Sequence, residues 1–425
     1  MICLFSGYPR DITESSINMD KLKMQNEYLF IGAIADAEIV QLLNSKGCKV
    51  STGYNVQRKM IEGLEKLGHY SDTITGHISP PLARDTLIVD YKSKNRNENV
   101  TDVSVSFLNL PLIDKLIKKV KIGIAAKHWI KRKKNPKIFV YSLTSSFLLG
   151  ALQAKRKNTN CKIVTIVPDL PEFMSNSNNK IYRLLKGIDG RILDRCLKKV
   201  DALVLFSEYM REKLPVQDKP FVVVEGIIQD VNHEEYMNKI EKRANNLSKT
   251  IMLTGALDYE EGILTLLEAF SKIEDREYKL WLTGTGNAVD LINKYADADK
   301  RIAYFGYITS YDEFLELQQK ASVFVLMVPP THPKAAYYFP SKLMEYLATG
   351  GIVACYKLPC IPDEYDEYLQ YFSGDAEQIG RQLTDLCKTD PEVYREMAIK
   401  RYEFIKQKNS VGQMKKVEKL VDMLQ

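Results

Sequence analysis

At 425 residues, with 45% hydrophobic and 27% charged residues and a net charge of +6, the chain has a soluble globular composition. It is too long for one ordinary core, so two or three domains are expected. No stretch approaches eighteen consecutive apolar residues, and Met-Ile-Cys-Leu-Phe-Ser-Gly has neither the basic lead nor the apolar run of a signal peptide, so a cytoplasmic protein is expected. Seven cysteines without a Cys-x-x-Cys pair speak against a disulfide framework or zinc knuckle, and five dispersed histidines give a transition-metal site no support.

In chain order, residues 1–26 are unclear beyond a candidate strand at Met1–Ser6. Short β-branched runs then predict strands at Glu27–Ile34, Ile138–Tyr141, Lys162–Val167, Ala202–Phe206 and Phe221–Val224. Helices are expected between them at Val56–Leu67, Leu143–Lys155 and Lys180–Lys199. The one strongly basic stretch, 113–134, carries Lys115, Lys118, Lys119, Lys121, Lys127, Lys131, Arg132, Lys133 and Lys134 among apolar residues spaced by three and four. An amphipathic helix with lysines on its outer face is expected, either a solvated surface or a contact for an anionic membrane. No nucleic-acid motif accompanies the charge.

Residues 232–249 are polar and show no core pattern, which predicts a boundary there. Beyond it, strands are expected at Thr250–Thr254, Lys279–Thr283, Ile302–Phe305, Val323–Met327 and Ile352–Cys355. Helices are expected at Gly262–Ile273, Ala288–Ala296, Tyr311–Lys320 and Ser341–Thr349. The pattern predicts an α/β protein of two Rossmann-like domains facing a cleft, with ligands at the carboxyl ends of parallel strands. The domains are placed at 1–232 and 250–405, with a linker at 233–249 and a C-terminal helix at 406–425 packing back toward the first domain.

The stretch 338–351, Tyr-Phe-Pro-Ser-Lys-Leu-Met-Glu-Tyr-Leu-Ala-Thr-Gly-Gly, is the richest in chemistry. Pro340 suits a helix start and Gly350 its end. The first-turn N–H groups, with the positive end of the macrodipole, can bind phosphate oxygens, and Lys342 adds a full charge. Glu345, one turn deeper on the same face, can accept two sugar hydroxyls. The competing reading is a capped amphipathic helix with Leu343, Met344 and Leu347 in the core. Three nearby strands end in glycine, at Gly255, at Gly284 and Gly286, and at Gly306, where a backbone can approach a ligand. The middle loop starts like a dinucleotide fingerprint, but Val289 stands where its third glycine belongs. Before the boundary, Val-Pro-Asp-Leu-Pro-Glu at 167–172 sets Asp169 after an apolar strand, fixed by two prolines, as a hydrogen-bond acceptor, a base or a turn cap. The acidic runs Asp297-Ala-Asp299 and 363–367 read as solvated surface.

These residues, with Thr-Gly-Ala-Leu-Asp-Tyr-Glu-Glu-Gly-Ile at 254–263, Leu-Leu-Glu-Ala-Phe at 266–270 and Val-Glu-Gly-Ile-Ile at 224–228, resemble the retaining GT-B glycosyltransferases of family 4. The likeness is greatest to the branch that makes bacterial capsular and exopolysaccharides. It implies a metal-independent hexosyltransferase without a cofactor, whose co-substrate is a nucleoside-diphosphate sugar and whose acceptor is a growing, lipid-linked saccharide. The resemblance places Glu345 on the ribose, the amides of Ser341, Lys342 and Leu343 on the diphosphate, and the backbone of Gly306, Tyr307 and Ile308 on the nucleobase. Tyr337 and Phe339 fall in the same donor site, and Asp169 near the transferred sugar. Departures are evident: Tyr337 replaces the first glutamate of Glu-x7-Glu, Pro168 the usual histidine, and Ala256 and Glu261 an arginine and a lysine that neutralise the diphosphate. Lys342 is the expected substitute, with Lys334 a weaker one, so Asp169 and Lys342 are the expected catalytic residues. With a lipid-linked acceptor, the basic helix would contact the inner face of the plasma membrane. The rival readings are a non-catalytic sugar-nucleotide-binding or scaffolding subunit, and an epimerase or phosphorylase on the same fold.

Overall fold

Mostly apolar strands build two mainly parallel sheets, because a parallel strand covered by helices on both faces has little solvent side on which to place polar residues. The computed structural model describes residues 27–34, 52–76, 88–89, 94–97, 100–105, 107–108, 113–131, 133–173, 180–228 and 230–424. The expectations for 1–26 and for Arg132 lie outside the described residues. The chain forms two compact units: Met1–Leu205 with Lys213–Val222 and Met414–Gln425, and Phe206–Glu212 with Val223–Gln413.

In the first unit the elements are β1 (Tyr28–Gly32), α1 (Thr52–Lys66), β2 (Ser71–Thr75), β3 (Ile88–Val89), β4 (Lys94–Asn97), β5 (Val100–Ser104), β6 (Phe107–Leu108) and α2 (Ile113–Ile130). They continue as β7 (Lys137–Tyr141), α3 (Ser145–Lys155), β8 (Lys162–Val167), α4 (Lys180–Leu197), β9 (Ala202–Leu205) and β10 (Phe221–Val223). The main sheet runs β10-β9-β8-β7-β1-β2-β5-β4. Strand β2 carries only one apolar residue yet is wholly buried, which hid it from the sequence. Its polar groups are paired inside: Asp72 accepts from the Thr101 N–H (2.9 Å) and from Trp129 Nε1 (2.8 Å), and Thr73 Oγ1 donates to Asp102 (2.6 Å).

The second unit continues with α5 (His233–Ala244), β11 (Thr250–Ala256), α6 (Ile263–Ser271), β12 (Lys279–Thr285), α7 (Val289–Ala298), β13 (Ile302–Tyr304), α8 (Tyr311–Lys320) and β14 (Val323–Leu326). Then come α9 (Ser341–Thr349), β15 (Ile352–Cys355), β16 (Gln370–Tyr371), α10 (Ala376–Cys387), α11 (Pro391–Gln407) and α12 (Ser410–Asp422), the last grouping with the first unit from Met414 on. Its parallel sheet runs β13-β12-β11-β14-β15-β16. That is the doubly wound 3-2-1-4-5-6 order, whose switch point falls between β11 and β14.

Two expectations require correction. Residues 233–249 are no linker: α5 occupies most of them, buries Tyr236, Ile240, Arg243 and Ala244, and belongs to the second unit. A core stripe spaced by four is present there, but it is thin and includes an arginine. On α2 Lys115 is exposed and Lys119, Lys121 and Lys127 are half-buried, but two parts of the expectation fail. Lys118 is buried and paired with Asp114 (3.2 Å), while Leu116, Val120 and Ile124 are 59%, 42% and 47% exposed. Glycines bring α2 and α3 close: a Cβ on Gly150 of α3 would meet the Ile122 side chain at 2.6 Å and the Gly123 backbone at 3.2 Å. Ile122, Ala126 and Ile130 fill the buried face, and Leu116, Val120 and Ile124 are turned outward. Lys133 is buried as well, with Nζ 5.1 Å from the Trp129 ring centroid.

Candidate functional site

Helix α9 begins at the N-cap Pro340 and ends at Gly350 in the left-handed conformation (φ 78°). It buries Leu343, Met344, Tyr346, Leu347 and Thr349, leaving Ser341 and Glu345 exposed at its mouth. Lys342 Nζ donates to Glu345 Oε2 at 2.6 Å and lies 5.5 Å from the Phe314 ring centroid. The Lys342 stem runs over the end of β11, where a Cβ at Gly255 would sit 3.3 Å from Lys342 Cε. The structure therefore brings together Gly255, Lys342 and Glu345. The Leu343 amide already donates to Pro340 O at 2.9 Å, which leaves Ser341 and Lys342 as the first-turn amides for an anion. Phe339 and Leu343 have buried side chains, and the Phe339 ring packs 5.6 Å from that of Tyr365, so both serve the core.

The glycine-ended loops form one ladder. β11 and β12 pair Gly255 with Gly284, and the Gly284 N–H donates to Gly306 O at 2.8 Å. Thr283 Oγ1 donates to the same Gly306 oxygen (2.7 Å), and Tyr304 Oη to Gly284 O (2.9 Å). Gly284 sits at φ 137°, and a Cβ there would lie 1.9 Å from Gly255 O, so only glycine allows this approach. Gly286 fits against the backbone of Leu257. Beyond Gly306 the chain presents Tyr307, 59% exposed, and a half-buried Ile308.

Several residues escaped sequence reasoning. Tyr346 is fully buried, and its Oη accepts the Thr254 N–H at 2.8 Å, tying α9 to β11 one residue before Gly255. Burial pushes its phenol pKa up. The Tyr338 hydroxyl is buried with no hydrogen-bond partner among the described residues, and its pKa is raised first by burial and then by Glu261. Glu261 has its own carboxyl pKa raised, chiefly by burial and next by Asp258, with Lys334 opposing. His332, its ring 6.4 Å from that of Tyr338, has its pKa lowered by burial and Lys334. Tyr337 is half-buried, its N–H donating to Lys334 O at 2.8 Å. The acidic runs are engaged in ion pairs: Asp299 with Arg301 (2.6 Å), and Asp363 with Lys357 (3.0 Å), which also holds Asp366.

In the first unit Asp169 is exposed, just past the end of β8. It helps burial to raise the pKa of Tyr141, at the end of β7. The next residue, Ser142, holds φ 74°, the one positive φ of a non-glycine among the described residues. Such strain marks functional loops often enough to single out this strand end.

Residues 248–389 match the family described as Glycosyl transferases group 1. No curated protein sequence matches the chain. Among solved structures the chain is similar to the lipopolysaccharide outer core galactosyltransferase WaaB in its apo form, at 12% identity and TM-score 0.56, over 93% of this chain and 99% of that one. It is similar to the sucrose-phosphate synthase (tll1590) from Thermosynechococcus elongatus at 15% identity and TM-score 0.58, again over 93% and 99%. It is also similar to Anabaena Alr3699/HepE in complex with UDP at 10% identity and TM-score 0.57, over the same shares. These likenesses show the GT-B fold. The group 1 match falls within the second unit.

Proposed function

We propose that the protein is a retaining, metal-independent hexosyltransferase of the family 4 type. It takes its sugar from a nucleoside-diphosphate donor bound by the second unit and passes it to a lipid-linked saccharide in bacterial surface polysaccharide synthesis. The observation that carries this reading is the seating of Lys342 and Glu345 at the mouth of α9 over Gly255. A diphosphate there meets the first-turn amides and the ammonium, and Glu345 is placed to exchange its lysine partner for ribose hydroxyls. Charge developing on the leaving diphosphate needs stabilising, and Lys342 supplies it without a metal or a covalent nucleophile. In the first unit Asp169 serves the transferred sugar. The similar Anabaena Alr3699/HepE, solved in complex with UDP, makes a uridine donor the first to try.

The acceptor's lipid gives a use to the outward stripe of Leu116, Val120 and Ile124 on α2. Helix α4 is tied to α2 through Lys115 Nζ and Asp189 Oδ2 (3.0 Å) and exposes Leu184 and Ile188. Helix α2 carries five lysines against one aspartate, and α4 five basic residues against two acidic ones. Apolar stripes flanked by cations suit an anionic bilayer surface.

A second reading, donor binding without turnover, is favoured by one feature: exposed Ala256 and partly buried Glu261 stand where cations are expected. The deciding experiment is transfer or donor hydrolysis by the purified protein, with thermal-shift screening of uridine, guanosine and adenosine diphosphates and their sugars to find the donor. Lys342→Ala should lower kcat by about 10²–10³ at saturating donor, as loss of an oxyanion-type contact does. Wild-type rates in that variant would remove its role, and binding without any turnover by the native protein would favour the second reading.

A further inference from the structure

The far end of α9 is held in an unusual way. Thr349, Gly350 and Gly351 present three consecutive carbonyls, and each receives a side-chain donor. Arg243 Nη1 donates to Thr349 O (2.6 Å), Tyr394 Oη to Gly350 O (2.8 Å) and Arg401 Nη1 to Gly351 O (2.5 Å). Arg243 Nη2 also donates to Gln318 O near the end of α8, at 3.0 Å. Both arginines are buried, 3% and 1% exposed, and among the described residues the Nε of each has no partner. Among the described residues neither guanidinium meets a carboxylate: Arg243 lies over the Phe324 ring at 5.8 Å, and the charges felt by Arg401 are those of Tyr236, Tyr394 and Arg243.

Burying an arginine without a counter-ion is costly, and neutral donors can cap a helix end. Two full charges here face a helix C-terminus worth only about half a negative charge, so the end of α9 that should repel an anion is net positive. Nine residues span about 14 Å, and with the guanidiniums beyond the last carbonyls and an anion beyond the first-turn amides the charges stand roughly 20 Å apart.

We infer that Arg243 and Arg401 are long-range cations of the anion site at the N-terminus of α9, acting through the helix in place of the cations missing at Ala256 and Glu261. They touch no substrate and are positioning residues. The inference rests on the donor-site reading above. With an effective dielectric constant of about 20 and a separation of about 20 Å, each unit charge changes the affinity for a singly charged anion roughly fourfold, and more for a diphosphate.

The test is calorimetry at low salt with inorganic pyrophosphate and with uridine, guanosine and adenosine diphosphates, the three nucleosides serving as uncharged controls. Arg401→Gln and Arg243→Gln should each weaken the diphosphates and pyrophosphate about fivefold or more, with nucleoside affinity unchanged. Arg401→Lys and Tyr394→Phe should stay within about twofold of the native protein, since neither removes a charge. Diphosphate affinity unchanged in the Gln variants, or diphosphate and nucleoside falling in step, would overturn the proposal. Should neither Gln variant fold, Arg401→Lys and Arg243→Lys decide it: retained affinity supports it and a fivefold loss sinks it. Absence of any diphosphate binding by the native chain is a different result, and defeats the donor-site reading itself.

Discussion

The carboxyl ends of the two sheets are built from different materials. In the second unit, the loops after β11, β12 and β13 touch backbone to backbone through Gly255, Gly284 and Gly306, and Lys342 lies over Gly255. In the first unit the corresponding edge offers side chains: exposed Asp169, and Ser142 in a strained turn whose Oγ is 2.8 Å from Thr144 Oγ1. On the proposed reading, a diphosphate is met by amides and dipoles, a demand that only small residues at fixed places satisfy. An acceptor is met by side chains, and many different residues can supply those. The donor half of such a protein should therefore tolerate change badly at its glycines, and the other half at few single backbone positions.

Glycine substitutions break this comparison most directly. Gly284→Ala forces a Cβ to within 1.9 Å of a backbone oxygen that has no freedom to retreat. It should cost about 3 kcal/mol or more and lower Tm by roughly 10 °C. Gly306→Ala, at φ 68° with nothing within 4 Å of the new Cβ, should cost only about 1 kcal/mol. Equal shifts in a melting experiment would show that the loops are not interlocked as described.

The next effect concerns the first unit alone. Changing Leu116, Val120 and Ile124 together to serine should reduce binding to vesicles containing anionic lipid by tenfold or more, given about 1.5–3 kcal/mol for each large side chain fully buried. Lys118→Gln should change vesicle binding little, because that lysine is buried against Asp114. If the triple variant floats with the vesicles as the native protein does, α2 is an ordinary solvated helix.

How much of this was legible follows the same division. Helices α8 and α9 and strand β8 coincide with the runs read from sequence, because their apolar spacing, caps and flanking glycines agree. The glycine loops were legible too, since a left-handed or crowded position leaves a specific residue behind. What stayed hidden relied on paired polar groups. Strand β2 reads as a loop until Asp72 and Thr73 find partners on β5 and α2. Helix α5 reads as a linker because one of its core residues is Arg243. The outward face of α2 was misjudged because Gly123 and Gly150 pack inside it, and helix approach distance leaves no periodic signal. Tyr346 and Tyr338 look like any core aromatic until the Thr254 amide and the unpartnered hydroxyl are seen.

The smallest effect distinguishes the two readings of the donor edge. Burial and Asp258 raise the Glu261 pKa above its ordinary 4.5, so the folded chain holds this proton more tightly than the unfolded one. Stability from this group is then greatest below the unfolded value, falls as pH rises through the folded value, and stays reduced above it. Glu261→Gln should therefore raise Tm slightly at pH 7 and leave it unchanged near pH 4. Removing an ionised carboxylate from the diphosphate's neighbourhood should also tighten diphosphate binding a few-fold at neutral pH, an advantage that fades as the native carboxyl becomes protonated. If binding instead weakens, Glu261 contacts the ligand directly, for which the buried Tyr338 hydroxyl beside it offers a second hydrogen-bonding group, and the missing cation at 261 would mark a change of recognition rather than a loss of catalysis.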